Sequence, residues 1–123
     1  MNEKVKSAKE TKGIANYLCY ITQRIIYLQF FTDDINTSIE LKYCKELQQR
    51  IKEWARTHRI CYQYIRGKIS VDECVQYMGV SKRVFFYMMA KQKAGFIEFI
   101  QKTENELEKK YPFTPSKEYF TED

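Results

Sequence analysis

The stretch ISVDECVQYMGVSKRVFFYMMAKQK, residues 69–93, carries the strongest local signals for secondary structure in this chain. Ser70 and Glu73 have the spacing of a capping box, in which each side chain satisfies a backbone N–H at a helix start. Gly79 can adopt the positive φ of a tight turn, and Ser81 is a favourable N-cap for a following helix. The pattern therefore predicts a short helix, a glycine turn and a second helix, which together form a helix-turn-helix.

Apolar side chains at helical spacing predict how these two helices pack together. Ile69 stands where it can pack on Cys74 as a hydrophobic staple at the start of the first helix. The predicted packing positions between the helices are Cys74, Met78, Val80, Phe85 and Met88. The N-terminal side of the second helix then presents outward Ser81, Lys82, Arg83, Phe86 and Tyr87.

The second helix of such a motif lies in the major groove of duplex DNA. Lys82 or Arg83 can reach phosphates or guanine edges, and aromatic rings can touch thymine methyl groups. The predicted DNA-contacting residues are Ser81, Lys82, Arg83, Phe86, Tyr87 and Lys91. An alternative interpretation buries the apolar run of residues 84–89 in a core or in a protein interface.

Residues 70–100 resemble the helix-turn-helix of sigma-factor region-4-like phage regulators, in particular late-gene transcription activators of the ArpU and RinA type. Both have a glutamate in the first helix and a turn whose sequence is glycine, an apolar residue and serine. In both, a basic helix with an aromatic pair follows the turn. The matching residues are Glu73, Gly79, Val80, Ser81, Phe86, Tyr87 and Lys91. The resemblance implies promoter-proximal DNA binding, and transcription regulation, by a protein of a phage or mobile element.

The composition predicts a small all-α fold of four to five helices. The chain has 123 residues, enough for one domain with a modest core, and its 44% hydrophobic content is too high for a disordered chain. No stretch alternates apolar and polar residues as a half-buried strand does. We expect a single helical domain over residues 1–110 and a flexible tail over residues 111–123.

Three further helices are predicted around the central motif. The first spans residues 12–31, and the last spans residues 94–110. A long helix runs from Thr37, which forms a capping box with Glu40, to residue 66, where Gly67 suits the left-handed cap. Its apolar seam is predicted to contain Cys44, Leu47, Ile51, Trp54, His58, Cys61 and Ile65.

The first helix is apolar on several faces. We therefore expect it to be surrounded on several sides, either within the fold or at a subunit interface. Its seam of Ile14, Leu18, Ile21, Ile25 and Leu28 can pack within the chain. A homodimer interface is predicted at Tyr17, Tyr20, Tyr27 and Phe30. The competing interpretation is that the C-terminal helix folds back and covers these rings through Phe96, Phe99 and Ile100.

Charge is concentrated in the middle of the chain. Residues 45–103 contain twelve Lys or Arg against five Asp or Glu, net +7, whereas residues 104–123 have three against six, net −3. The basic segment coincides with the predicted DNA-binding motif, and this favours a polyanionic partner.

Other function classes have little support in the sequence. The four cysteines form no CxxC pair and no export signal precedes them, so we expect buried thiols, a cytoplasmic protein and no metal or other cofactor. Arg24 within the most apolar helix argues against a membrane span. No phosphate loop or activated nucleophile is found, and we expect no enzymatic activity.

Two non-catalytic alternatives remain open beside a DNA-binding regulator. One is a small interaction protein that binds RNA polymerase or another host protein. The other is an excisionase-like or MerR-like module, although a β-wing normally follows that motif and residues 94–110 are predicted to be helical.

Overall fold

A computed structural model describes residues 13–30 and 34–114 of the chain. The helices in this part are α1 (Gly13–Phe30), α2 (Ile35–Ile65), α3 (Val71–Met78), α4 (Lys82–Gln92) and α5 (Gly95–Lys110). No strand occurs among the described residues, and the predicted all-α class of four to five helices is confirmed. Where both are described, the predicted helix bounds lie within two residues of the observed ones. The predicted ends of the first helix, Lys12 and Phe31, lie outside the described residues.

The contacts divide the chain into two compact units. Unit 1 comprises the described residues of Met1–Ile51 and Phe96–Asp123, and unit 2 comprises Lys52–Gly95. Each unit has its own cluster of buried apolar side chains. The single domain over residues 1–110 stays a prediction.

The core of unit 1 forms where α1 packs on α2 and α5. From α1 it takes Tyr17, Ile21, Ile25 and Leu28, which recur every three or four residues as one helical face requires. The other fully enclosed members are Tyr43, Cys44, Leu47 and Ile51 of α2 with Ile100 and Leu107 of α5. Burial of each large side chain contributes about 1.5–3 kcal/mol, so this cluster is the main source of stability in unit 1.

A buried ion pair joins α1 to α2. The Arg24 Nε donates to Glu40 Oε2 at 2.8 Å, and Nη2 lies 2.6 Å from the same oxygen. The two side chains are only 3% and 5% exposed. Glu40 therefore neutralises the one charge on the apolar helix α1, and the predicted capping box of Thr37 with Glu40 is wrong.

Asp34 caps the start of α2 instead. Its Oδ1 accepts the Thr37 N–H at 2.7 Å, and its carbonyl accepts the Ser38 N–H at 3.1 Å. The hydrogen bonds from Thr37 lower the pKa of the Asp34 carboxyl, because they stabilise its ionised form. The helix consequently starts at Ile35, two residues before the predicted start.

Tyr17 lies in the core of unit 1 and is 2% exposed. Its hydroxyl donates to the buried Glu104 carboxylate, and its ring meets Phe96 edge-on at 6.3 Å. Burial, and then the charge of Glu104, raise the pKa of the Tyr17 hydroxyl. The prediction that Tyr17 belongs to a subunit interface is therefore wrong, and the competing interpretation that α5 covers this ring is correct.

The other predicted interface residues differ in their exposure. Tyr20 and Tyr27 are half-buried against the unit 1 core, whereas Phe30 is 78% exposed. Ile26, which was not singled out from the sequence, is 50% exposed.

The predicted seam of α2 holds only in part. Cys44, Leu47, Ile51 and Cys61 are buried as expected. His58 and Ile65 are exposed, so their predicted place on the apolar seam is wrong. The His58 ring stacks on Trp54 with centroids 5.1 Å apart, while Ile60 takes the buried position beside Cys61.

The start of the predicted flexible tail is held against unit 1. The Phe113 ring packs edge-on against Tyr43 at 5.0 Å, and Asn36 exchanges two hydrogen bonds with the Thr114 backbone at 2.9 and 2.7 Å. Residues 111–114 are therefore not a free tail, and residues 115–123 lie outside the described residues.

Glu46 of α2 fastens the end of α5. Its Oε1 accepts from Lys110 at 3.0 Å and from the Tyr111 hydroxyl at 2.8 Å. Together with Arg50, these donors lower the pKa of Glu46 to about 2, so the carboxylate stays ionised down to acidic pH.

Removing the buried carboxylate should destabilise unit 1 strongly. In Glu40→Ala the Arg24 guanidinium loses its carboxylate while remaining buried, and the free energy of unfolding should fall by about 3–5 kcal/mol. The matched control is Glu106→Ala, which breaks an exposed pair with Arg50 and should cost less than about 1 kcal/mol. Urea unfolding measures both, and equal losses would contradict the assignment.

Candidate nucleic-acid interface

Local contacts hold α3 at both ends within unit 2. At its start, the Ser70 N–H donates to Glu73 Oε1 at 2.8 Å and the Glu73 N–H donates to Ser70 Oγ at 3.1 Å, which confirms the predicted capping box. At its end, the Arg56 Nη2 of α2 donates to the Tyr77 carbonyl at 2.9 Å. A cation at a helix C-terminus is also favoured by the helix dipole.

The turn between α3 and α4 has the predicted conformation. Gly79 has φ 68° and ψ 34°, and the Val75 carbonyl accepts both the Gly79 N–H at 2.8 Å and the Val80 N–H at 3.3 Å. Ser81 follows in an extended conformation, and its Oγ accepts the Val84 N–H at 3.2 Å as the N-cap of α4. Only a residue that tolerates a left-handed backbone can make this turn, and glycine does so at least cost.

Phe85 anchors α4 in the core of unit 2. It is 0% exposed, its ring meets Tyr64 of α2 edge-on at 5.6 Å, and the equally buried Cys74 of α3 belongs to the same cluster. Met78 and Val80 pack on this cluster as predicted. The next α4 residue in the cluster is Met89 rather than the predicted Met88, because the buried face continues four residues after Phe85 and not three.

All six predicted DNA-contacting residues are exposed. Phe86 is 41% and Tyr87 is 61% exposed, and Ser81, Lys82, Arg83 and Lys91 are exposed as well. All six belong to α4 and its N-cap. Phe85 is buried and Met88 and Met89 are half-buried, so the six residues lie on the sides of α4 that face solvent. The alternative that the apolar run lies in the core is wrong for Val84, Phe86 and Tyr87, whereas its burial in a protein interface stays a prediction.

The charged groups on α4 are weakly engaged. Lys82 Nζ lies 3.4 Å from Asp72 Oδ1, but both side chains are more than half exposed and such a pair contributes little. The Lys91 ammonium lies 5.0 Å from the centroid of the Tyr87 ring. Arg83 makes no ion pair among the described residues.

Unit 2 holds all of the excess positive charge in the protein. Residues 52–95 contain nine Lys or Arg against three Asp or Glu, net +6, whereas the rest of the chain has twelve against thirteen, net −1. The helix α4 contains no acidic residue. Its surface therefore suits an anionic partner.

Sequence reasoning missed part of the exposed surface of unit 2. Val84 is 42% exposed on α4, and Tyr77 on α3 is 72% exposed. Tyr62 is 54% exposed, with the Arg66 guanidinium 5.5 Å from its ring centroid. The helical periodicity counted from the buried Phe85 would have predicted that Val84 is exposed. The local sequence contains no pattern that predicts the exposure of Tyr62 and Tyr77.

The described residues contain neither a grouped set of metal ligands nor a membrane-spanning helix. No three His, Cys, Asp or Glu side chains are grouped there so as to hold a metal ion. None of the helices described combines the length and the apolar composition that crossing a bilayer requires. Comparison with protein-family models, curated proteins and solved structures finds no match to the chain.

The Ser81 cap should be needed for the stability of α4. Ser81→Ala removes the acceptor of the Val84 N–H and should cost about 1 kcal/mol, with faster hydrogen exchange at Val84. Ser81→Asp retains a capping oxygen, so its unfolding free energy should stay close to that of the wild type. An unchanged exchange rate at Val84 in Ser81→Ala would show that the cap is not formed.

Proposed function

We propose that unit 2 binds duplex DNA with α4 in the major groove, and that the protein is a sequence-specific, non-enzymatic transcriptional regulator acting in the cytoplasm. One observation carries the proposal. The six predicted contact residues are all exposed on α4 and its N-cap, while Phe85 of the same helix is buried in the core of unit 2. The resemblance of residues 70–100 to phage regulators supports an origin in a phage or mobile element.

The dimensions and chemistry of α4 agree with this role. A helix of 11 residues is about 16 Å long, and a helix with its side chains fits the groove, which is about 12 Å wide. Ser81 and Lys82 at its N-terminal end are suited to phosphates, where the helix dipole also favours an anion. Arg83, one residue further on, is suited to a guanine edge.

The arginines of α2, Arg50, Arg56 and Arg59, are less suitable for this role. Arg50 is paired with Glu46 at 3.0 Å and with Glu106 at 2.8 Å, and Arg56 is bound to the α3 carboxyl end. Two of the three arginines are therefore engaged within the chain, whereas Arg83 of α4 makes no ion pair among the described residues.

The second candidate function is binding to RNA polymerase or to another host protein. It is favoured by three exposed apolar side chains of unit 2 outside α4, namely Tyr62, Ile65 and Tyr77. Failure to bind any duplex DNA at low salt would favour this candidate, since electrostatic affinity for DNA is greatest there.

Neutralising the start of α4 should weaken DNA binding. The double variant Lys82→Ala with Arg83→Ala should raise the Kd for duplex DNA at least about tenfold and reduce the salt slope by up to about two. The matched control, Lys42→Ala with Lys45→Ala, removes the same charge from exposed positions of unit 1 and should leave the slope nearly unchanged. Fluorescence anisotropy at several salt concentrations measures both, and equal effects would remove α4 from the interface.

We also propose a homodimer, with a patch on unit 1 that differs from the predicted one. Ile26, Phe30 and Ile35 are 50%, 78% and 78% exposed, and large exposed apolar side chains mark interfaces. Pairing would double the length of DNA that one short helix can recognise.

Sedimentation equilibrium tests the homodimer. Phe30→Glu should shift the protein toward 14.9 kDa, whereas Ile65→Glu, at a similarly exposed position of unit 2, should not. A wild-type mass of 14.9 kDa at every micromolar concentration would contradict the dimer.

A further inference from the structure

The exposed side of α4 has a restricted set of chemical groups. From Ser81 to Lys91 the sequence SKRVFFYMMAK contains no Asn, Gln, Asp or Glu. The next residue, Gln92, is half-buried and its Nε2 lies 3.5 Å from the Trp54 carbonyl. Amide and carboxylate groups are therefore missing from the surface that would face the bases.

Each base pair edge in the major groove needs a different partner. Asn or Gln recognises adenine through bidentate hydrogen bonds, and Asp or Glu accepts a hydrogen bond from the cytosine amino group. The exposed side of α4 has none of these residues. Guanine is read by Arg or Lys, and the C5-methyl group of thymine is read by apolar contact. The Ser81 hydroxyl can bond to any base edge but already caps the helix, so the charged and apolar side chains of α4 suit guanine and thymine.

The apolar groups are well placed for the second of these contacts. At about 100° per residue, Tyr87 lies near the centre of the side opposite Phe85, one turn after Arg83. Val84 and Phe86 flank it, and the three side chains are 42%, 41% and 61% exposed in chain order. Lys91, at 5.0 Å from the Tyr87 ring, adds a cation that suits the phosphates at the groove edge.

We propose that Tyr87, flanked by Val84 and Phe86, contacts thymine C5-methyl groups in the major groove, so that the bound sites are recognised by thymine methyls together with guanine edges. This inference rests on the proposed function. The partner is duplex DNA rather than an apolar protein surface, because α4 and its caps present four cations, Lys82, Arg83, Lys91 and Lys93, and no acidic residue.

The test is to remove the methyl groups and nothing else. Wild-type protein selects duplexes from a random 25-base-pair pool, and the most enriched duplex is made again with uracil in place of thymine. Loss of one contacted methyl should raise the Kd about threefold to fourfold, and loss of two about tenfold. The uracil effect should disappear in Tyr87→Ala, because that variant has already lost the contact.

Tyr77→Ala is the matched control, since Tyr77 is the more exposed tyrosine but lies on α3. It should retain the full difference between thymine and uracil. Circular dichroism and the salt slope show whether Tyr87→Ala remains folded and bound, and Tyr87→Lys, which has a long side chain but no ring, takes its place if it does not fold. Tyr87→Phe keeps the ring and should keep the full difference between thymine and uracil.

The outcomes separate this inference from the function on which it rests. Equal affinity for the two duplexes, or a uracil effect that persists in Tyr87→Ala, would overturn the thymine contact alone. Salt-dependent binding without enrichment would overturn both the thymine contact and the sequence specificity of the proposed regulator, but not its binding to DNA. No binding to any duplex at low salt would overturn the proposed function itself.

Discussion

The packing of Phe85 against Tyr64 and Cys74 determines which side of α4 faces solvent. The ring is fully enclosed, and it meets Tyr64 at an interplanar angle of 90°, the edge-to-face arrangement that aromatic pairs prefer. Because α4 turns by about 100° per residue, a shift of this anchor to Phe86 would bring Tyr87 toward the core. The basic and aromatic surface of α4 is therefore a consequence of one buried ring.

The parts of unit 2 that were predicted correctly depend on short-range interactions. The caps at Ser70 and Ser81 and the turn at Gly79 each join residues within five positions of one another, so the sequence alone contains both partners. The error at Met88 has a simple origin. Two methionines stand side by side, the spacings of three and four are both helical, and only the position of α2 against α4 selects Met89.

Unit 1 was harder to predict because its decisive partners are distant in sequence. Glu40 is 16 residues from Arg24, Glu104 is 87 residues from Tyr17, and Thr114 is 78 residues from Asn36. The local sequence suggests other roles for these residues. It suggests a capping box for Glu40, an exposed helical position for Glu104 and a flexible tail for Thr114. The exposure of His58 has a different cause. The helix α2 contributes side chains to two separate clusters, so the three-four repeat that fits Leu47 and Ile51 in unit 1 does not continue to Ile60 and Cys61 in unit 2.

The four cysteines, all of which lie in the described part of the chain, differ sharply in their surroundings. Cys44, Cys61 and Cys74 are buried, and burial raises the pKa of each thiol, to about 12 for Cys44, which keeps them in the unreactive form. Cys19 is exposed on α1, with Gln23 Nε2 at 3.8 Å from its sulfur. A thiol-specific dye added to the folded protein will therefore attach at one position, Cys19 of unit 1. Air oxidation would join two chains at the same position, and such a covalent pair would survive dilution in a way that an association through apolar contacts does not.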